Sequence, residues 1–272
     1  MSESSAARPI CVQCGLQYPE PRADCPVCEE QRQFVNWNGQ RWTTLDEMRA
    51  GEYRPRVAEE GPGIVGIGTR PSFAIGQRAL LVRAPTGNVL WDCVTYLDDE
   101  LVGRIRELGG ITAIAISHPH YYSTMSEWAR EFDVPVYLHA ADRQWAPITD
   151  EHLVFWEGDA HELARGLTLI NAGVHFDGGA VLHWRAGEGG RGALLSGDIV
   201  QVVPDRRWVS FMHSYPNLIP ERPSVVRRAV SLLDPFPFER VYGAWWGAIV
   251  DSDGAEAVRR SARRYLDFAE ER

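Results

Sequence analysis

The chain has 272 residues and a formal net charge of −9, from 28 basic and 37 acidic residues. That length suits one large domain with at most a small appendage. The acidic balance argues against a protein that grips nucleic acid or an anionic membrane, because both need clustered basic charge. All of the basic residues are arginine, which excludes a lysine-dependent phosphate loop and Schiff-base chemistry.

The first ten residues, MSESSAARPI, lack the basic start and the apolar stretch of a secretory signal. No apolar run approaches the roughly 18 residues of a membrane span. We therefore expect no membrane partner and a cytoplasmic location, in which thiols stay reduced.

Residues 1–50 are predicted to form a separate zinc-ribbon-like segment. Cys11 and Cys14 form one C-x2-C pair, and Cys25 and Cys28 form a second pair ten residues further on. Two such turns can complete a tetrahedron of thiolates around one structural zinc ion. A redox pair is the alternative, although two pairs in so short a segment favour zinc. The segment carries seven acids and five arginines, so a protein partner suits it better than nucleic acid.

Beyond the cysteines, a helix is predicted over 43–50 from a threonine cap and a glycine stop, followed by a charged, proline-rich linker over 51–63. Strands and helices then alternate over 64–272, which predicts one α/β domain with helices packed outside its sheets. Strands are predicted over 73–85, 87–94, 111–117, 134–139, 167–173, 180–186, 192–200 and 240–246, and helices over 98–110, 121–132, 224–236 and 255–272.

Two histidines, His118 and His120, directly follow the apolar run ITAIAIS. Residues i and i+2 leave an extended chain on the same side, so two imidazoles at a strand end can meet one ion. Two further apolar strands also end in metal-ligand types, at His175 within NAGVHFDGG and at Asp198 within LSGD. Two ordinary surface histidines are the alternative for the first pair taken alone.

The order and spacing of these residues resemble the metallo-β-lactamase superfamily, whose pattern is an HxHxDH box, a third histidine in a glycine-rich turn, a GD at a strand end and a late histidine. In this resemblance His118, His120 and His175 match the histidines of the first metal position, and Asp198 matches the aspartate that bridges two metals. The WDC sequence containing Asp92 resembles the family's early aspartate-bearing strand. The resemblance implies a four-layer αββα sandwich behind the small zinc ribbon.

The chain departs from that family at the second metal position. Tyr122 and Ser123 stand where the family has aspartate and histidine, and Trp245 or Trp246 stands where it has the late histidine. Indole has no lone pair to donate to a metal, and phenol and hydroxyl groups are poor replacements. Tyr122 either donates a hydrogen bond to an oxyanion or fills the space of the second metal. His213 is a further candidate for a site role, because its aromatic neighbours Trp208, Phe211 and Tyr215 could line a pocket.

These residues predict a metal-dependent hydrolase with one active-site ion, zinc or iron, held by three histidines. A metal-bound hydroxide would be the nucleophile, because three neutral imidazoles with an open position lower the pKa of bound water to about 7. Asp198 is expected to ligate the ion or to hold the water, with Tyr122 as the second catalytic candidate. The substrate is expected to be a small molecule. The alternative is a non-catalytic binding protein with a degenerate site.

Overall fold

The computed structural model describes residues 7–270, which divide into two compact units. The first unit runs to Leu138 and includes Arg143–Phe155, and the second comprises His139–Asp142 and the chain from Trp156 onward. No helix among these described residues has the length and apolar composition needed to cross a bilayer.

The ribbon segment lies within the first unit and contains little regular structure. Strand β1 (Ile10–Cys11) pairs antiparallel with β2 (Trp42–Thr43). Two short helices accompany them, α1 (Pro26–Glu29) and α2 (Leu45–Ala50). The predicted cap of α2 is confirmed: the Thr44 hydroxyl accepts from the Glu47 N–H, and the Glu47 carboxylate accepts from the Thr44 N–H.

The first unit is organised around a seven-stranded mixed sheet. In spatial order its strands are β3 (Arg54–Gly61), β4 (Ile64–Arg70), β5 (Ala79–Ala84), β6 (Gly87–Trp91), β7 (Ala113–Ala115), β8 (Val136–His139) and β9 (Leu153–Trp156). The first four pair antiparallel, whereas β6, β7 and β8 pair parallel. Helix α3 (Asp99–Glu107) precedes β7, and helix α4 (Met125–Phe132) follows it.

The segment 51–63, which reads as a linker, differs from that expectation because it contains β3. Its charged and proline-rich composition suits an edge strand, since only one side of an edge strand needs ladder hydrogen bonds. Helix α4 starts at Met125, four residues later than its predicted start at residue 121. A 3₁₀ turn at Pro119–Tyr121 occupies the chain between β7 and α4.

The second unit is organised around a six-stranded sheet that covers a large apolar core. In spatial order its strands are β10 (Ala160–Ala164), β11 (Leu167–Asn171), β12 (Ala180–Trp184), β13 (Ala193–Gly197), β18 (Arg240–Gly243) and β19 (Ile249–Val250). Only β13 and β18 pair parallel. Buried residues of two helices, α6 (Pro223–Leu233) and α7 (Gly254–Ala269), join the apolar core of this sheet.

The remaining elements of the second unit are short pairs of strands, one helical turn and two longer helices. They are β14 (Gln201–Val202) with β15 (Val209–Ser210), β16 (Met212–Ser214) with β17 (Ile219–Pro220), α5 (Gly187–Gly190), α6 (Pro223–Leu233) and α7 (Gly254–Ala269). The predicted end of the last helix at residue 272 lies outside the described residues.

Candidate metal centres

The four ribbon cysteines form one buried group in the first unit. Each is at most 1% exposed, and their sulfurs lie within 4.8 Å of one another. The Sγ atoms of Cys11 and Cys28 are 3.6 Å apart, and those of Cys14 and Cys25 are 3.7 Å apart. A zinc ion with four Zn–S bonds of about 2.3 Å would separate its sulfurs by about 3.8 Å. The spacing and the chemistry of this group therefore fit a tetrahedral zinc ion.

Polar neighbours complete the surroundings of these sulfurs. The Gln40 amide donates to Cys11 Sγ at 3.2 Å, and the Tyr18 hydroxyl lies 3.2 Å from Cys25 Sγ. Hydrogen bonds among the thiols lower the pKa of Cys11 and raise the pKa of Cys14. The group therefore needs a cation before all four protons can leave together.

His118 and His120 lie at the carboxyl end of β7, as predicted. Their rings are 5.1 Å apart between centroids and nearly perpendicular, and the two residues are 1% and 4% exposed. The Ser117 hydroxyl lies 2.9 Å from His118 Nδ1, on the other side of the ring from Nε2. The ring of Tyr121 packs edge-on against His118 with centroids 4.4 Å apart. The pair is thus buried and oriented by its own loop.

Asp92 supports this loop from the end of β6. Its carboxylate accepts from the Ser117 N–H at 2.8 Å, and its own backbone is left-handed, with φ +62°. Burial raises the pKa of Asp92 to about 7, and the hydrogen bonds from Ser117 oppose that rise. The aspartate of the WDC sequence therefore acts on the residue directly before His118.

Tyr122 and Ser123 are the residues of this unit that the sequence resemblance aligns with ligands of a second metal. The Ser123 hydroxyl donates to the Cys93 carbonyl at 3.4 Å and accepts from the Gln77 amide at 3.3 Å. Tyr122 is 1% exposed and ends the 3₁₀ turn. Neither side chain is the carboxylate or imidazole that a second ion prefers.

In the second unit, His175 follows β11 and has an unusual left-handed backbone, with φ +68°. Its Nδ1 donates to the His213 carbonyl oxygen at 2.8 Å. Because a carbonyl only accepts, this bond fixes the tautomer that has its lone pair on Nε2. The backbone N–H of His175 donates to the Glu221 carboxylate at 3.0 Å.

Asp198 follows β13 and is 4% exposed. Tyr215 joins it to His175, since the Tyr215 hydroxyl donates to the Asp198 carbonyl at 2.6 Å and its ring centroid is 5.5 Å from that of His175. Burial raises the pKa of Tyr215, so its hydroxyl keeps its proton. Trp245 and Trp246 lie half-buried in the turn between β18 and β19.

One supporting residue of this unit, Glu221, was missed from the sequence, and Tyr215 and His213 were noticed only together, as a histidine with aromatic neighbours. Glu221 and Tyr215 show no local motif, because their roles depend on contacts with residues far away in the chain. His213 drew attention as a histidine among aromatics, but its contact with His175 uses the main-chain carbonyl.

Comparison with known proteins gives one relative by sequence. The chain is 47% identical over 261 residues to the uncharacterized protein YmaE of Bacillus subtilis (strain 168), which covers 94% of this chain and 95% of that protein. No protein-family model matches the chain.

Solved metallo-β-lactamases share the fold at low sequence identity. The DIM-1 enzyme superposes with a TM-score of 0.60 at 14% identity, covering 80% of this chain and 100% of that one. FIM-1 from Pseudomonas aeruginosa, in its mono-zinc form, superposes with a TM-score of 0.57 at 13% identity, covering 78% of this chain and 96% of that one. The metallo-β-lactamase from Hirschia baltica superposes with a TM-score of 0.54 at 17% identity, covering 78% of this chain and 97% of that one. The α/β class and the metallo-β-lactamase-like fold predicted from the sequence are confirmed.

Proposed function

We propose that the chain, which belongs to the same protein family as YmaE, is a metal-dependent hydrolase of a small molecule, because it has the metallo-β-lactamase fold and buried histidines that could hold a metal. His118, His120 and His175 are the proposed ligands of a single active-site ion, zinc or iron. The observation that carries the proposal is that all three are buried and that His175 is held in the tautomer of a metal ligand. Buried histidines with a main-chain partner on the second nitrogen are typical of metal sites.

One ion suits the chain better than two. The position of the second ion holds Tyr122 and Ser123, and the Ser123 hydroxyl already has two partners. A tryptophan replaces the late histidine, and indole cannot ligate. FIM-1, which shares the fold, has a mono-zinc form, so a single ion is compatible with this architecture.

The proposed chemistry divides between the ion and the chain. When bound, the ion would supply Lewis acidity that lowers the pKa of a coordinated water to about 7. Asp198 is proposed to ligate the ion or to orient the attacking water through its carboxylate. Tyr122 is proposed to donate a hydrogen bond to the oxyanion that forms on the substrate. Tyr122→Phe should then lower turnover and leave the bound metal unchanged.

The ribbon is proposed to bind one structural zinc ion through Cys11, Cys14, Cys25 and Cys28. The support is the set of sulfur separations near those of a zinc tetrahedron. So short a segment buries few apolar side chains, and metal binding would therefore supply part of its folding free energy.

Elemental analysis of protein purified without a metal-chelating tag tests both sites together. We expect roughly two ions per chain in the wild type, one for each site. A His118→Ala/His120→Ala variant should keep only the ribbon ion, and a His152→Ala/His161→Ala variant, matched in the number of histidines removed, should keep both. Ester, thioester, lactam and phosphodiester substrates would then be screened with the same proteins.

The alternative function is a non-catalytic binding protein, and the occupied second-metal position favours it. That alternative predicts one ion per chain, unchanged in the His118→Ala/His120→Ala variant, and no hydrolysis of any substrate in the screen. This result would remove the hydrolase proposal.

A further inference from the structure

The ribbon touches the loop that carries the proposed ligands. We propose that its first knuckle, residues 11–18, is a positioning element for the histidine loop, residues 117–124. The inference concerns regulation of the proposed hydrolytic site and rests on that proposed function. Gly15 and Gln17 are the positioning residues, and neither contacts the proposed ion.

Two hydrogen bonds join the first knuckle to this part of the unit. The Gln17 N–H donates to the Ser123 carbonyl at 3.1 Å, inside the histidine loop itself. The Gly15 carbonyl accepts from the Thr95 hydroxyl at 3.1 Å. The Thr95 carbonyl accepts in turn from the Thr124 hydroxyl at 2.8 Å. One route therefore ends at Ser123 and the other at Thr124, and both residues follow His120 in the histidine loop.

Ser123 needs such support because its backbone is left-handed, with φ +48°. A non-glycine residue in that conformation is strained, and the conformation persists only when its surroundings fix it. Three of its contacts do so, and the one from Gln17 comes from the ribbon. Loss of that contact would favour other conformations of the histidine loop.

Buried side chains also hold the ribbon segment against the rest of the unit. Gln17 is 1% exposed. Ile10, Leu45 and Met48 of the ribbon segment form one apolar cluster with Tyr96, the residue after Thr95. The apolar core of the ribbon segment is therefore completed by a side chain from the rest of the unit.

Metal binding by the cysteines is thereby linked to metal binding by the histidines. An ion in the ribbon fixes the first knuckle, which narrows the conformations of the histidine loop. Coupling of this kind is reciprocal and typically changes affinity by about 5- to 150-fold. The ribbon would then raise the affinity of the proposed hydrolytic site for its ion.

Two glycines of the ribbon provide a matched test. A methyl group at Gly15 would lie 2.3 Å from the Thr95 hydroxyl oxygen, whereas one at Gly39 would meet nothing within 4 Å. Both backbones are left-handed, with φ +83° and +81°. Gly15→Ala and Gly39→Ala therefore carry the same backbone strain, and only the first pushes the first knuckle away from Thr95.

The readouts are cobalt(II) titration and hydrogen exchange. Thiolate-to-cobalt absorption reports the ribbon, and the weaker bands of nitrogen-ligated cobalt report the histidines. We expect Gly15→Ala to lower cobalt affinity at the histidines about tenfold and to speed amide exchange over 117–124. Gly39→Ala should match the wild type. Thr95→Val, which removes the hydroxyl donor at nearly constant volume, should shift both readouts in the same direction and serves if Gly15→Ala does not fold.

The positioning role is overturned if Gly15→Ala and Thr95→Val both exchange the amides of 117–124 at the wild-type rate and bind cobalt with the wild-type affinity. If the wild type binds cobalt only at the cysteines, the hydrolase proposal fails. The exchange measurement still decides whether the ribbon positions the loop.

Discussion

Replacing Glu221 should weaken metal binding by the histidines, although Glu221 is not a proposed ligand. Glu221 is 6% exposed, and its two carboxylate oxygens accept from the His175 and Arg222 N–H groups at 3.0 and 2.8 Å. A hydrogen bond to a charged group is worth about 1.5–3 kcal/mol. The left-handed conformation of His175 costs about 1–2 kcal/mol. The bond to Glu221 is thus large enough to offset that cost.

The magnitude follows from the population of the binding conformation. Glu221→Ala removes the acceptor, so the fraction of chains with His175 in its observed conformation falls. Apparent affinity falls by the same factor. Without the bond, the backbone cost of about 1–2 kcal/mol is no longer offset, and the fraction in the binding conformation falls by about 5- to 30-fold. Glu221→Gln keeps one acceptor oxygen for two N–H donors and should lose less.

The assay is cobalt(II) titration of protein whose cysteines already hold zinc, with a chelator as competitor. Glu162→Gln, at an exposed glutamate of β10, is the control for removal of one negative charge. Urea unfolding of each variant identifies conditions in which all of them are folded. An affinity for Glu221→Ala equal to that of the Glu162→Gln control would refute the reasoning, since His175 would then need no such support or would not be a ligand.

Three further predictions concern stability. Burial lowers the pKa of His183, whose Nε2 donates to the Pro237 carbonyl at 2.8 Å. As the pH falls, the unfolded state, with a pKa of about 6.5, therefore binds the proton first. Urea titrations between pH 7 and 5 should show that the wild type loses more unfolding free energy than His183→Gln. Gly192 has φ +87°, and Gly192→Ala would place a methyl group 2.1 Å from the Pro237 carbonyl oxygen, so it should lower the unfolding free energy by about 3 kcal/mol or more. A methyl group at Gly189 would meet nothing within 4 Å, so Gly189→Ala should cost only about 1 kcal/mol. Equal losses in the two variants would contradict this. In the His118→Ala/His120→Ala background, Cys14→Ser should lower the melting temperature and remove its dependence on added zinc. A melting temperature that rises with zinc equally with and without Cys14 in that background would exclude the ribbon ion.

The sequence predicts most of the elements that carry the proposed ligands, because those ligands lie within a few residues of the ends of apolar strands. A buried strand ends where its apolar run ends, which places His118, His175 and Asp198 at strand ends without any knowledge of tertiary contacts. The cap of α2 is equally local, since Thr44 and Glu47 are three residues apart.

What the sequence could not predict depends on contacts between distant residues. The left-handed backbones of Asp92, Ser123 and His175 are uncommon for residues other than glycine, so residue type alone does not predict them, and tertiary hydrogen bonds support them. Strand β3 was not recognised because its pairing with β4, rather than an alternating apolar pattern, determines it. Glu221 precedes a helix like many surface glutamates, and only the fold brings it to His175.

The place of the ribbon in the chain has a consequence for the order of metal loading during synthesis. All four ribbon cysteines lie within the first 28 residues, and the first histidine is His118. At roughly 5–20 residues per second, the thiols leave the ribosome seconds before any imidazole does. The first zinc ion that a nascent chain captures would therefore go to the ribbon, and the histidine loop would emerge next to an already folded first knuckle. In a zinc-starved cell, newly made chains would carry an ion at the ribbon cysteines before one at the histidines.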